Sequence, residues 1–89
     1  MSISKVMVVG AGIMGSGIAQ TCIEHGVNTI LVDISKELAD KGAANVAHFL
    51  QRKIEKGKIK AEDREAALKL LSTSGSYEDG KDADVVVEA

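Results

Sequence analysis

Lys5-Val6-Met7-Val8-Val9-Gly10-Ala11-Gly12-Ile13-Met14-Gly15 is the stretch whose reading decides the fold. Residues 5–9 are a short, mostly β-branched apolar run without alternation, which suits a strand buried on both faces of a parallel sheet. Gly10 stops the run, and a helical pattern follows. The glycines fit G-x-G-x-x-G, a weak signal when it stands alone. Here the motif leaves a strand and opens a helix, and Asp33 closes the next strand, 18 residues after Gly15. Those contexts turn the pattern into a dinucleotide-binding fingerprint.

Each position has a physical reason. Gly10 permits the tight turn off the strand. Gly12 has no side chain, so backbone can approach a pyrophosphate closely. Gly15 lets the helix pack against the sheet. Amides at the helix start, with Ala11, Ile13 and Met14 between the glycines, face the anion and are helped by the helix dipole. The Asp33 carboxylate can accept hydrogen bonds from adenosine ribose hydroxyls. Ile34 and Ser35 follow it and Lys36 is the first cation, which favours NAD over NADP. A glycine turn without a ligand, and FAD or another adenine nucleotide, are the competing readings.

Outward from this motif, the first helix is expected over about 13–25, with Ile13, Met14, Ile18, Ala19, Cys22 and Ile23 on one broad apolar face and Gly26 as its C′ glycine. Residues 28–32 read as a second strand. Ser35 is placed to cap a long helix over 36–56, whose stripe is Leu38, Gly42, Val46, Leu50 and Ile54, with Ala39, Ala43 and Ala47 beside it. Gly57 ends it. A shorter helix is expected over 61–71, with Glu62 and Asp63 in its first turn. Residues 72–75 read as a short strand, 76–82 as a turn and 84–88 as a final strand. Strands alternating with helices imply an α/β fold: a truncated, doubly wound parallel sheet of four strands in order 3-2-1-4, with a helical hairpin after strand 2.

The 89 residues make one domain with one modest core. Eleven basic against 13 acidic residues give a net charge of −2, which argues against nucleic acid. Phe49 and Tyr77 are the only aromatic residues, too few for base-stacking platforms. No apolar run reaches the roughly 18–20 residues of a membrane span, and no import leader is expected from the first residues. Cys22 stands alone, so neither a disulfide nor a cysteine zinc cluster forms within one chain. The expected location is the cytoplasm.

The run from Gly10 through Gln20, Gly-Ala-Gly-Ile-Met-Gly-Ser-Gly-Ile-Ala-Gln, resembles the N-terminal segment of the 3-hydroxyacyl-CoA dehydrogenases, above all the bacterial 3-hydroxybutyryl-CoA dehydrogenases. Leu31-Val32-Asp33-Ile34 is similar to that family's second strand. Glu55-Lys56-Gly57-Lys58-Ile59 resembles its lysine-rich turn, and Asp84-Val85-Val86-Val87-Glu88-Ala89 its fourth strand. The resemblance implies that residues 1–89 are the NAD-binding portion of an oxidoreductase of fatty-acid metabolism, without its substrate and dimerisation domain. It implies NAD over Gly10, Ala11, Gly12, Ile13, Met14 and Gly15, ribose on Asp33, and Glu88 and Ala89 lining the nicotinamide side. It also places a CoA thioester near Lys56; Phe49 stands where some members have a serine. The family's catalytic histidine–glutamate pair lies beyond residue 89, so no catalytic residue is expected here.

The remaining features read plainly. His25 ends the first helix, roughly 18 Å along it from the phosphate loop. His48 has no carboxylate three or four residues away, so neither histidine forms a tuned acid–base pair. Arg52, Lys53, Lys56, Lys58 and Lys60 form a basic patch opposed in sequence only by Glu55. It is either a landing site for CoA phosphates or a solvated helix end. The acidic segment Glu78, Asp79, Asp82 and Asp84 reads as a solvated turn, and no metal site is expected. Cys22 is expected to be a buried, inert thiol. The alternative to a dehydrogenase portion is a stand-alone or engineered nucleotide-binding module. Its last strand would pair with another copy to make a homo-oligomer.

Overall fold

A computed structural model describes residues 3–89. Strand β1 (Lys5–Val9) lies between β2 (Asn28–Val32) and β4 (Val85–Glu88), and β3 (Leu71–Ser74) flanks β2. All pairings are parallel and the order is β3-β2-β1-β4, as the strand–helix alternation predicts. The middle of β1 is buried on both faces, which is why its run shows no alternation: Val6 and Val8 pack with Ala19 and Leu31, while Met7 packs with Ile30 and Val32.

Helices α1 (Ile13–Glu24) and α2 (Lys36–Glu55) pack against each other and against the sheet. Helix α3 (Ala61–Leu68) folds back on α2. Ile23, Val46, Leu50 and Ala67 form the cluster that joins the three helices. Each large aliphatic side chain fully buried there stabilises the fold by about 1.5–3 kcal/mol. The route from β3 to β4 crosses to the opposite edge of the sheet. It passes through a single 3-10 turn, Tyr77–Gly80, where the sequence predicts an irregular turn. Gly80 sits over β1 and β2; a Cβ there would fall 2.3 Å from Met7 Sδ.

Several local expectations are corrected. Ile13 and Met14 do not join the buried face of α1 but are 84% and 70% exposed. They occupy the first helical turn, at the end of the sheet where no other element covers them. On α2 the buried stripe is Ala39, Gly42, Val46 and Leu50; Leu38 faces outward and Ile54 is half-buried. Helix α3 ends at Leu68 instead of near 71, and β3 starts at Leu71, because the Leu70 carbonyl is already engaged by Thr29 N–H at 2.8 Å. Asp84 stays outside β4 and accepts the N–H groups of Ser4 and Lys5, capping the start of β1. Cys22 is half-buried against the core cluster, not fully enclosed. Ser35 caps α2 as expected, accepting Leu38 N–H at 3.2 Å. Gly26 and Gly57 terminate α1 and α2 with φ +81° and +72°.

Candidate functional site

Three elements meet at the carboxyl ends of the central strands. The turn from β1 to α1 is fixed from both sides: Gly10 N–H donates to Val32 O at 2.7 Å, and Ala89 N–H donates to Val9 O at 2.9 Å. Gly10 adopts φ +103°, the left-handed region that glycine tolerates without cost. Gly15 is the tightest contact of the motif. A Cβ there would lie 1.6 Å from Gly10 O and 3.5 Å from Ala89 Cβ, so only glycine lets α1 start this close to the strand.

Gly12 differs. An added Cβ at Gly12 would meet nothing within 4 Å. It caps α1 in an extended conformation with no side-chain hydrogen bond, and no acidic residue follows in the first turn. The first regular helical bond runs from Ser16 N–H to Gly12 O at 2.9 Å. The first-turn N–H groups therefore have no intrahelical acceptor, and the positive end of the helix dipole opens onto free space. Buried Ser16 donates its hydroxyl to Ala11 O at 3.2 Å, which steadies the loop from beneath.

Asp33 bridges the two turns. Its Oδ2 accepts Ala11 N–H at 2.8 Å and its Oδ1 accepts Ile34 N–H at 2.7 Å. The Ala11 amide, and after it the Ile34 amide, hold the carboxyl below the usual carboxylate range. Each oxygen keeps a free lone pair on a solvent-accessible group. The arrangement fits a dinucleotide: unpaired amides and an open cradle for a diphosphate, and an ionised acceptor beside them for sugar hydroxyls.

The structure brings Gly10, Ala11, Gly12, Ile13, Met14, Gly15, Asp33 and Ala89 together, with Glu88 one residue before Ala89 in the register opposite Val9. Lys56 is not among them. It caps the far end of the 20-residue α2, roughly 30 Å from the helix start. There it lines a groove of about 330 Å³ with Gln20, Phe49, Arg52, Lys53 and Lys58. Lys53 is neutralised by Glu24 of α1 at 2.7 Å, a partner that reading the patch along the sequence did not supply. His25 places Nδ1 2.8 Å from Thr21 O, and His48 is exposed beside Phe49. Among the described residues neither histidine hydrogen-bonds a carboxylate.

Sequence reasoning placed Gly42 in the α2 stripe but not against the phosphate loop. A Cβ on it would fall 2.8 Å from Ala11 Cβ, Ala11 O and Leu31 Cδ2, so this glycine lets α2 press against the phosphate loop. The available signal was a glycine inside a helical apolar stripe.

Comparison with known proteins agrees with this geometry. The family model described as 3-hydroxyacyl-CoA dehydrogenase, NAD binding domain, matches residues 5–89. A probable 3-hydroxybutyryl-CoA dehydrogenase of Bacillus subtilis is 38% identical over all of this chain and 31% of its own length. A glyoxysomal fatty acid beta-oxidation multifunctional protein of Brassica napus is 38% identical over 98% of this chain and 12% of its own. Among solved structures, the (S)-3-hydroxybutyryl-CoA dehydrogenase PaaH1 of Ralstonia eutropha superposes with a TM-score of 0.94. It is 48% identical over 99% of this chain and 31% of its own. The chain thus spans between 12% and 31% of these relatives' lengths.

Proposed function

The chain belongs to the family of NAD-binding domains of the 3-hydroxyacyl-CoA dehydrogenases, and we propose that it holds NAD(H) for hydride exchange with C3 of a 3-hydroxyacyl-CoA in fatty-acid or butanoate metabolism. On this reading residues 1–89 are the NAD-binding portion, and the substrate and dimerisation domain lies outside them. When bound, nicotinamide supplies the hydride chemistry. The work of this chain is positioning. The amides of Gly12, Ile13 and Met14 take the pyrophosphate, Asp33 accepts from the ribose hydroxyls, and Glu88 and Ala89 border the nicotinamide side. Lys56, exposed at the distant groove, is assigned to a phosphate of the CoA thioester.

The observation that carries this reading is the open space over Gly12, with the uncapped start of α1 beneath it and the anchored Asp33 carboxylate beside it. Calorimetric titration of the purified chain with NADH, ADP-ribose and NADPH tests it. NADH and ADP-ribose are expected to bind alike and more tightly than NADPH. No heat up to millimolar NADH would overturn the assignment. The chain alone is expected not to turn over acetoacetyl-CoA with NADH, since neither histidine is paired for acid–base work; measurable oxidation of NADH would refute that part. A cytoplasmic location belongs to the same proposal, and fractionation of cells expressing the chain checks it.

One observation favours a second reading. Among the described residues no strand pairs with the outer edge of β4, and Val86 on that strand is 54% exposed. A free apolar edge is a template for pairing with another copy, so a self-associating nucleotide-binding module is the alternative. Sedimentation across a concentration series decides: a constant monomer mass removes this reading.

A further inference from the structure

The turn after β2 and the first residue of α2 carry two opposite charges, Asp33 and Lys36, and the sheet order sends them opposite ways. Asp33 reaches across to the β1 side, where its carboxylate accepts Ala11 N–H. Lys36 reaches across to the β3 side, where its Nζ lies 3.3 Å from Thr73 Oγ1. With β2 between β1 and β3, the two side chains diverge from one short loop.

Lys36 is held there by two partners. Its Nζ donates to both carboxylate oxygens of Asp40 at 3.1 Å. Thr73 Oγ1 donates to Asp40 Oδ1 at 2.6 Å. A lone exposed pair one helical turn apart holds weakly and gives way to a better partner. This pair is different because Thr73 belongs to β3, not to the helix, and fixes the Asp40 carboxylate over the strand. The Thr73 hydroxyl, and after it Lys36, hold the Asp40 carboxyl below the usual carboxylate range. The backbone closes the same corner: a Cβ on Gly75 would fall 2.6 Å from Lys36 N, which leaves the start of α2 no room to shift toward β3.

The chemical consequence concerns a phosphate on the adenosine ribose. NADP differs from NAD by a 2′-phosphate, which needs a cation in place of a ribose-binding carboxylate. Lys36 is the cation nearest to Asp33 in sequence. We propose that Asp40, pinned by Thr73, is a specificity-determining residue that sequesters Lys36 and so withholds it from a 2′-phosphate, reinforcing the exclusion of NADP by Asp33. The proposal rests on the reading that NAD binds over the glycine loop. It assigns Asp40 and Thr73 no contact with the cofactor.

Calorimetric titration of the purified chain with NADH and NADPH tests this, using wild type, Asp40→Asn, Thr73→Val, and Asp40→Asn combined with Lys36→Met. Circular dichroism checks that each variant folds; Asp40 is exposed, and Thr73→Val unpins the Asp40 carboxylate from β3 without removing it. NADH affinity is expected to stay within about twofold in Asp40→Asn and Thr73→Val. NADPH affinity is expected to rise about two- to fivefold in Asp40→Asn and by less in Thr73→Val, as a freed or loosened lysine meets a phosphate. The gain should disappear in the double variant. Unchanged NADPH affinity in folded Asp40→Asn, with NADH still bound, overturns this inference and leaves the NAD reading standing. An equal gain in the double variant overturns the role of Lys36. Absence of NADH binding to wild type sinks the NAD reading and this inference with it.

Discussion

Gly12 and Gly15 belong to one motif, yet the structure gives their substitution by alanine different outcomes. At Gly12 φ is −73° and an added methyl meets no protein atom within 4 Å. The folded state accommodates it, and replacing glycine by alanine at a helix N-cap costs about 1 kcal/mol or less. For a domain of this size that lowers Tm by at most about 4–8 °C. The methyl does project into the space assigned to the pyrophosphate. Overpacking by one methyl costs about 1–3 kcal/mol, a loss of roughly 5- to 150-fold in NADH affinity. At Gly15 the same methyl would stand 1.6 Å from a backbone oxygen, where ordinary contact starts at 3.4 Å. The helix start would have to move by nearly two ångströms, at or beyond the upper end of the overpacking range, about 3 kcal/mol or more. Against a total stability of about 4–13 kcal/mol, that removes a large fraction of the fold. The assay is thermal unfolding by circular dichroism paired with NADH titration for each variant. Gly12→Ala should separate binding from folding, while Gly15→Ala should lose both. NADH affinity within twofold of wild type in Gly12→Ala would refute the placement of the pyrophosphate. A Tm for Gly15→Ala no lower than that of Gly12→Ala would refute the packing argument.

Gly42→Ala should lower stability by up to about 2 kcal/mol in denaturant unfolding, because the clash with Ala11 and Leu31 outweighs the roughly 1 kcal/mol that alanine gains as a helix former. Gly17→Ala, in open space on α1, should instead raise stability by about 0.5–1 kcal/mol, and a destabilised Gly17→Ala would contradict that packing. Ser35→Ala removes the α2 cap and should cost about 1 kcal/mol in the same measurement, with m unchanged. Asp33 and Asp84 are depressed chiefly by the amides of Ala11 and Ser4, so their contribution is complete above the ordinary carboxylate value of about 3.9 and is lost as pH falls through the lower folded values. Stability should therefore be flat from about pH 7 to 5 and fall only below about pH 4; a steep decline between pH 6 and 5 would show that other groups dominate.

Much of the fold was legible because its signals are local. β1 and β2 fall where their apolar runs place them, Ser35 caps, and Gly26 and Gly57 stop their helices, since each feature depends on a few adjacent residues. The sheet order followed from strand–helix alternation together with the fingerprint. The errors arose where tertiary contact decides. Periodicity put Ile13 and Met14 on the buried face of α1, but burial also requires something opposite, and the first turn overhangs the sheet. In the first turn of α2 it is Ala39, read as flanking the stripe, that is buried, while Leu38 is 39% exposed. Leu70 and Leu71 read as the end of a helix until the Thr29 amide drew that backbone into the sheet. The Lys53–Glu24 and Asp40–Thr73 contacts join elements far apart in sequence, and no spacing rule announces them.

Asp33 shows why the site and the fold cannot be probed separately at every position. The motif assigns its carboxylate to ribose hydroxyls, yet both oxygens already accept backbone amides, one from the phosphate loop and one from its own turn. Removing the carboxylate takes away the expected ribose acceptor and also leaves Ala11 N–H without its partner, in a loop whose residue is buried. Loss of NADH binding in Asp33→Ala would follow from either cause, through a missing contact or a displaced loop. The two amide bonds also explain how Asp33 can serve a ligand well: they fix the rotamer and keep the group ionised before any ligand arrives, so little ordering is left for binding to accomplish. Gly12 caps α1 through its backbone, but an added side chain there would contact no protein atom within 4 Å. A methyl there costs the fold little beyond the cap itself, and it is at Gly12, not at the charged residue, that the assignment of this surface to a dinucleotide meets its most direct test.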